Sequence, residues 1–216
     1  MKPILFNTEM VRAILEGRKT VTRMVVKPQP LDKPMCFHDP EEGLNIVCHV
    51  AGMDVLYNFF PPYQPGDTLW VRETWNGDWC DHYIYKADGG SAKAAGYAEE
   101  PKWRPSIHMP KEAARLFLRV TDVRVERLQD ITDYRAEGIH PSEACEECFA
   151  VRGGCDPLNS PTGCDNEIDA FAGLWDRTVK PADLPLYGWE ANPWVFVIEF
   201  ERISKDEALG GGGDAN

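Results

Sequence analysis

Apolar and polar positions alternate along several stretches of the chain, and this pattern predicts β-strands more often than helices. A short strand is predicted at residues 3–6, and an alternating one at 20–26. The strongest strand signals are the long stretch at 115–131 and the final one at 192–203. Another strand is predicted at 65–75, where a Pro-Gly-Asp turn leads into an apolar run.

Helical periodicity is confined to short segments. The first helix is predicted at 7–17, with Asn7 or Thr8 as its N-cap and Gly17 as its terminating residue. Two more short helices are predicted, at 132–139 and 167–179.

The order of these elements favours an α+β fold. Five or six strands separated by short helices, without regular strand–helix–strand alternation, are typical of a small, highly curved mixed β-barrel with helices closing its ends. Residues 28–64 and 140–166 lack a clear period and are interpreted as long insertions, the first with a small hairpin near 44–50. Residues 1–204 are therefore predicted to form a single domain, and 205–216 a disordered tail.

The formal net charge of −12 argues against nonspecific binding to duplex DNA, which depends on neutralising phosphates. The charge is uneven, since residues 1–27 hold six cations against two carboxylates and residues 130–170 hold ten carboxylates against two cations. A small local basic site therefore stays compatible with the acidic total. Without a signal peptide or an apolar run of membrane-spanning length, the sequence predicts a cytoplasmic protein with no membrane partner.

The chain has seven cysteines, an odd number that argues against a disulfide framework. Four of them, with one C-x-x-C pair, could close a structural zinc site; the alternative is four free cysteines on a solvated loop. No organic cofactor is expected, because phosphate-loop, dinucleotide and nucleophile-elbow motifs are absent from the sequence. The candidate zinc ligands are Cys145, Cys148, Cys155 and Cys164.

The order of "GRKTVTR" (17–23), "PGDTLWVRETW" (65–75), "WRPSIHMP" (103–110), "AEGI" (136–139) and "WVFVIEFERI" (194–203) resembles the ASCH domain family, especially its bacteriophage and prophage members. The resemblance implies a fold like that of the PUA domains that bind RNA. It also implies the host-cell cytoplasm as the location if the chain is encoded by a phage.

The family motif is usually written GxKxxExR. Gly17 and Lys19 match it, Thr22 stands at the Glu position, Met24 stands at the final Arg position, and Arg23 comes one residue early. In a regular strand, Arg23 would project from the face opposite to Thr22.

A small bacterial ASCH member that hydrolyses acetylated cytidine uses a Lys, Thr and Glu catalytic set. The resemblance implies the same roles for Lys19 and Thr22, with Glu137 as the nearest candidate for the Glu. Thr22 would be the nucleophile, Lys19 its base when neutral, and Glu137 the group that passes a proton to the leaving amine. The alternative is that Lys19 pairs with a carboxylate at the helix end and Thr22 is an ordinary strand residue.

Two further segments are candidates for ligand contact. Glu73 and Trp75, side by side on one barrel strand, could stack a flat base and accept its exocyclic amine; alternatively, Trp75 is a core residue and Glu73 pairs with an arginine. The segment at 103–110 offers an indole and several donors for a pocket wall. The candidate ligand-binding residues are Arg23, Arg72, Glu73, Trp75, Trp103, Arg104, Ser106 and His108.

Three functions follow from these observations. The leading hypothesis is a protein that binds RNA or a nucleobase or nucleoside, modified or not, in a barrel cleft. The second is an amidohydrolase that removes an acyl group from nucleosides like N-acetylcytidine. The third is a phage accessory protein that binds a host protein, with the acidic stretch at 130–170 imitating nucleic acid.

Overall fold

The computed structural model describes residues 1–39, 43–48, 57–77, 83–89, 102–139 and 167–210. Within these residues the chain is α+β, as the sequence predicts, with ten strands and short helices. The helices are α1 (Thr8–Leu15), α2 (Glu167–Thr178), α3 (Leu184–Tyr187) and α4 (Lys205–Ala208). The strands are β1 (Lys2–Leu5), β2 (Val21–Val25), β3 (Met35–Asp39), β4 (Gly43–Cys48), β5 (Tyr57–Phe59), β6 (Thr68–Arg72), β7 (Trp75–Gly77), β8 (Tyr83–Tyr85), β9 (Phe117–Arg127) and β10 (Trp194–Ile203).

The largest sheet has five strands in the order β1-β6-β9-β10-β2. β1 and β6 are parallel, whereas β6–β9 and β10–β2 are antiparallel. β1 and β2 stand at the two ends of this order, so the strands that the structure describes do not close into a barrel. A PUA-like barrel therefore stays a prediction.

The first insertion is more ordered than its sequence indicates. In place of one hairpin near 44–50, β3, β4 and β5 form a three-stranded antiparallel sheet. The Gln64 side chain donates to Leu44 O at 3.1 Å and accepts from Leu44 N at 2.7 Å. The strands are short, three to six residues each, which leaves too few positions for a clear alternation.

Residue contacts divide the chain into two compact units. The first unit contains Met1–Arg18, Gly66–Val120 and Phe200–Asn216, and the second contains Lys19–Pro65 and Thr121–Glu199. That residues 1–204 act as one domain stays a prediction. None of the helices in the described part of the chain is long and apolar enough to cross a membrane.

Each unit has its own apolar core. In the second unit, one face of α2 and the odd-numbered positions of β2 and β10 pack together, as the sequence predicts for Phe171, Leu174 and Trp175. The buried members of this core are Val21, Leu128, Ile131, Ile139, Ala170, Phe171, Trp175, Val195 and Val197. In the first unit, the core cluster contains Trp70, Trp75, Met109, Ala113, Ala114, Phe117 and Ile203.

The helix predicted at 132–139 is wrong, because this segment is a turn over residues 135–138. The Asp133 carboxylate accepts from Arg135 N at 3.0 Å and from Ala136 N at 3.1 Å, which favours a turn over a longer helix. The Ala136 carbonyl accepts from Thr20 N and Val21 N, at 2.9 and 3.0 Å. This carbonyl therefore pairs with the start of β2 and not with a further helical turn.

The disordered tail predicted from residue 205 is also wrong in its first residues. Ser204 and Glu207 form a reciprocal capping box around the start of α4, in which Glu207 N donates to Ser204 Oγ at 3.1 Å. A local capping signal thus orders one helical turn before the glycine run begins.

Candidate functional site

Lys19 lies between α1 and β2 and is only 3% exposed. Its Nζ donates to Val21 O at 2.6 Å, to Glu137 O at 3.0 Å and to Glu137 Oε2 at 3.1 Å. A lysine ammonium has three N–H donors, and these three oxygens match them. The amine is therefore held by the protein and does not extend into bulk solvent.

The backbone brings Glu137 to Lys19 across 118 positions of sequence. Because the Ala136 carbonyl accepts from two successive N–H groups at the start of β2, the next residue of the turn lies beside the lysine. Gly138 adopts a φ of +87° directly afterwards, a conformation that glycine reaches without steric cost. The turn at 135–138 thus positions the Glu137 carboxylate.

Arg23 contacts the other oxygen of the same carboxylate, through a short hydrogen bond from its Nη1 to Glu137 Oε1. Its side chain is 5% exposed. Nη2 lies 3.7 Å from Glu126 Oε2, and Nε is buried without a hydrogen-bond partner among the residues that the structure describes. We call Lys19, Arg23 and Glu137 the buried charge cluster.

Thr22 does not join this cluster. In β2, successive side chains point to opposite faces, so Arg23 shares a face with Val21 and Val25, and Thr22 faces the other way. The register Val197↔Arg23 and the core positions of β2 and β10 agree with this arrangement. Within the described part of the chain, no hydrogen bond joins the Thr22 side chain to Lys19 or Glu137. The structure therefore brings together two members of the predicted catalytic set.

A ladder of alternating charges leads from the buried charge cluster to the surface. Glu126, whose side chain is 26% exposed, accepts from Arg124 Nε at 2.5 Å. Arg124 also pairs with Asp122 at 3.0 Å and with Glu199 through a short contact. These carboxylates raise the pKa of Arg124 against the opposing effect of partial burial.

Burial lowers the pKa of Lys19, because the charged amine loses its hydration inside the protein. The Glu137 carboxylate opposes this shift through its charge and its hydrogen bond, and the Arg23 cation adds to it. On balance, the pKa of Lys19 is lowered. Lys19 therefore loses its proton more readily than an exposed lysine does.

In the first unit, Glu73 is not available as a free acceptor. Its side chain is buried, and Arg115 donates to both oxygens, from Nε at 2.9 Å and from Nη2 at 3.0 Å. Arg115 also pairs with Asp88 at 2.7 Å and lies over the Tyr85 ring, 3.9 Å from its centroid. Burial raises the pKa of Glu73, and Arg115 opposes that shift. The structure thus agrees with the alternative in which Glu73 pairs with an arginine.

Trp75 is a core residue and not an open stacking surface. It is 5% exposed and packs edge-on against Tyr83, with ring centroids 5.7 Å apart. The single strand predicted at 65–75 is wrong, because β6 ends at Arg72 and β7 begins at Trp75. The backbone between them leaves the ladder where Glu73 N donates to Met109 Sδ at 3.2 Å. Glu73 and Trp75 therefore do not lie side by side on one strand.

The remaining predicted contact residues of the first unit lie on or near one irregular segment. Trp103 and Ser106 are half-buried, whereas Arg104 and His108 are exposed. Arg72 Nη2 donates to Ile107 O through a short hydrogen bond, which ties the segment at 103–108 to the end of β6. The prediction that they line one cleft with Lys19 stays a prediction.

The four candidate zinc ligands lie outside the described residues, so the zinc site stays a prediction. Within the described residues, no group of three or more His, Cys, Asp or Glu side chains could hold a metal ion. The sequence does not point to Glu126, which pairs with Arg23, or to Arg115, which pairs with Glu73. No local pattern identifies them, because each pairs with a residue distant in sequence.

Comparison with models of protein families, with curated proteins and with solved structures found no match. What the buried charge cluster can bind must therefore be inferred from its own chemistry.

Proposed function

We propose that the second unit binds a nucleobase or nucleoside, free or within RNA, at the buried charge cluster. The observation that carries the proposal is one buried carboxylate shared by two buried cations, beside an Arg23 Nε that has no hydrogen-bond partner among the described residues. A base edge presents ring acceptors and exocyclic amines at fixed spacing. Arginine donates to such acceptors and a carboxylate accepts from such amines.

A purely structural role explains the cluster less well. Buried ion pairs often add no stability over well-packed apolar residues, because taking charges out of water costs several kcal/mol per ion. Ionisable groups with shifted pKa values also concentrate where proteins bind and react. The resemblance to the ASCH family supports the same class of ligand. We also propose that the fold is PUA-like, with the five-stranded sheet at its centre.

Titration calorimetry with cytidine, N-acetylcytidine, uridine, adenosine and guanosine tests this proposal. We expect at least one nucleoside to bind, and Arg23→Met to weaken it by about tenfold or more, as for loss of a charged hydrogen bond of about 1.5–3 kcal/mol. Thr22→Val is the matched control on the same strand, and it should retain the affinity because Thr22 faces away from the cluster. Failure of all five nucleosides to bind, or equal affinity of Arg23→Met and wild type, would contradict it.

The second candidate is amidohydrolysis of an acylated nucleoside. The specific observation that favours it is the 3.1 Å contact between Lys19 Nζ and Glu137 Oε2, together with the lowered pKa of Lys19. A neutral amine could take a proton from the attacking oxygen, and Glu137 could pass one to the leaving amine. Water would add to the acyl carbon, and acetate and cytidine would be released from N-acetylcytidine.

The hydrolase candidate predicts a pH dependence. The neutral fraction of Lys19 increases as pH rises through its lowered pKa, so cytidine release should increase with pH and level off below the usual lysine range near 10.5. Lys19→Arg should show no such increase, because arginine keeps its proton. Chromatography of the products checks both. Absence of cytidine release at every pH would remove the hydrolase. Because Thr22 faces away from the cluster and water is the nucleophile here, Thr22→Val should keep the activity, and its loss in that variant would contradict this step.

A further inference from the structure

Charged side chains on the sheet of the second unit form a row that ends at the buried charge cluster. Asp122, Arg124 and Glu126 are two positions apart on β9, so they share one face of that strand. Glu199 joins the row from β10, the strand that lies between β9 and β2. We call these four residues the charge ladder. None of them has a role in the proposed function so far.

Arg124 is the centre of the charge ladder, and it holds Glu126. Arg124 Nη1 donates to Asp122 Oδ2 at 3.0 Å and to Glu199 through a shorter contact. Arg124 Nε donates to Glu126 Oε1 at 2.5 Å. Carboxylates from two strands therefore hold the guanidinium, and the guanidinium in turn holds one oxygen of Glu126. The other oxygen, Oε2, lies 3.7 Å from Arg23 Nη2.

The Arg23 guanidinium consequently has two anchors. Its Nη1 donates to Glu137 Oε1, and with this hydrogen bond alone the group could pivot about it. Glu126 attracts Nη2 from 3.7 Å, which is longer than a hydrogen bond but within the range of an ion pair. Because a guanidinium is planar and rigid, fixing two of its nitrogens also fixes the direction of the third. That third group is the Nε–H without a partner among the described residues.

Stability alone explains the charge ladder poorly. The side chains of Arg124 and Glu126 are 36% and 26% exposed, and ion pairs with this much access to water add little to stability. Another pair, Arg119 with Glu201 at 3.2 Å, shows an ordinary surface contact between β9 and β10. In the described part of the chain, no ion pair connects it to Arg23. The charge ladder differs from such a pair because it ends on a buried donor.

We propose that Glu126, held by Arg124, is a positioning residue that aims Arg23 Nε at the ligand of the second unit. The role of the ligand rests on the proposed nucleoside site, whereas the orientation of Arg23 does not. Without the charge of Glu126, Arg23 would still pair with Glu137 but would turn more freely. Binding would then have to order this donor, and ordering a mobile side chain costs affinity.

A double-mutant cycle measured by titration calorimetry tests this role. The probe is the tightest-binding of cytidine, N-acetylcytidine, uridine, adenosine and guanosine. Glu126→Gln keeps the shape of the side chain and should weaken binding about fivefold, within the range of coupling between residues of one ion-pair network. In an Arg23→Met background the same substitution should change the affinity less than twofold, because Glu126 acts through Arg23. Glu201→Gln, the control, removes a carboxylate charge from the Arg119 pair and should bind within twofold of wild type.

Nitrogen-15 relaxation of the Arg23 Nε–H bond tests the positioning without any ligand. The signal is identified by its absence from Arg23→Met, and its order parameter measures motion on the picosecond to nanosecond timescale. We expect a lower order parameter in Glu126→Gln and in Arg124→Gln, and no change in Glu201→Gln.

An unchanged order parameter in Glu126→Gln would overturn the proposal, whether or not a nucleoside binds. Equal weakening of binding by Glu126→Gln in both backgrounds would also overturn it, since Glu126 would then act without Arg23. If none of the five nucleosides binds the wild-type protein, the proposed function fails, and the order parameters still decide whether Glu126 positions Arg23.

Discussion

Glu137→Ala is expected to lower the free energy of unfolding by about 3–5 kcal/mol, the usual cost of breaking a buried ion pair from one side. The reason is that Lys19 and Arg23 both depend on this carboxylate, through its two oxygens. Both cations would stay buried with their shared counter-ion removed. Urea unfolding at pH 7 measures the change.

Glu126→Ala is the matched control, because it removes the same side chain from a more exposed position of the same network. Its expected cost is below about 1 kcal/mol, as for exposed ion pairs. Glu137→Gln keeps the volume of the side chain and separates the loss of charge from the loss of packing. A Glu137→Ala protein within 1 kcal/mol of wild type would show that the cations do not depend on this carboxylate.

Lys19→Met is expected to weaken nucleoside binding by about 10- to 150-fold, because it removes the charged hydrogen bond from Lys19 Nζ that positions the Glu137 carboxylate, a bond of about 1.5–3 kcal/mol. Methionine has a similar length and suits a buried position, and Arg23 stays available to pair with Glu137. If the protein hydrolyses N-acetylcytidine, the rate should fall further, by about 100-fold or more, as for loss of a general base.

Lys33→Met is the control for this prediction, because Lys33 is an exposed lysine of the same unit. It should leave binding and turnover unchanged. Calorimetric titration gives the affinity and product chromatography gives the rate. Undiminished affinity in a folded Lys19→Met protein would show that Lys19 does not position the Glu137 carboxylate for the ligand.

Elements with a strong local signal could be predicted from sequence. α1 begins after Asn7, whose side chain accepts from Met10 N at 2.8 Å, and this capping pattern is visible in the local sequence. The predicted bounds of β10 and α2 agree with the structure to within a few residues, because each of these segments has a clear hydrophobic period. The turn at 135–138 was missed because its backbone pairs with β2, far away in sequence.

The site was only partly predictable. The pairing of Lys19 with Glu137 was suggested by the family resemblance and not by any local pattern, because the two residues are 118 positions apart. The resemblance also grouped Thr22 with them, whereas the period of two along β2 separates it from Arg23. In the structure, Thr22 and Arg23 lie on opposite faces of β2, as the period of two predicts. Arg23, out of register with the motif, is the residue that completes the cluster.

The most direct test of the account is a crystal structure of the protein grown with the tightest-binding nucleoside. We predict that the edge of the base lies within about 3.2 Å of Arg23 Nε or of the Glu137 carboxylate. A base bound elsewhere, with the buried charge cluster contacting protein atoms alone as it does here, would contradict the proposed function.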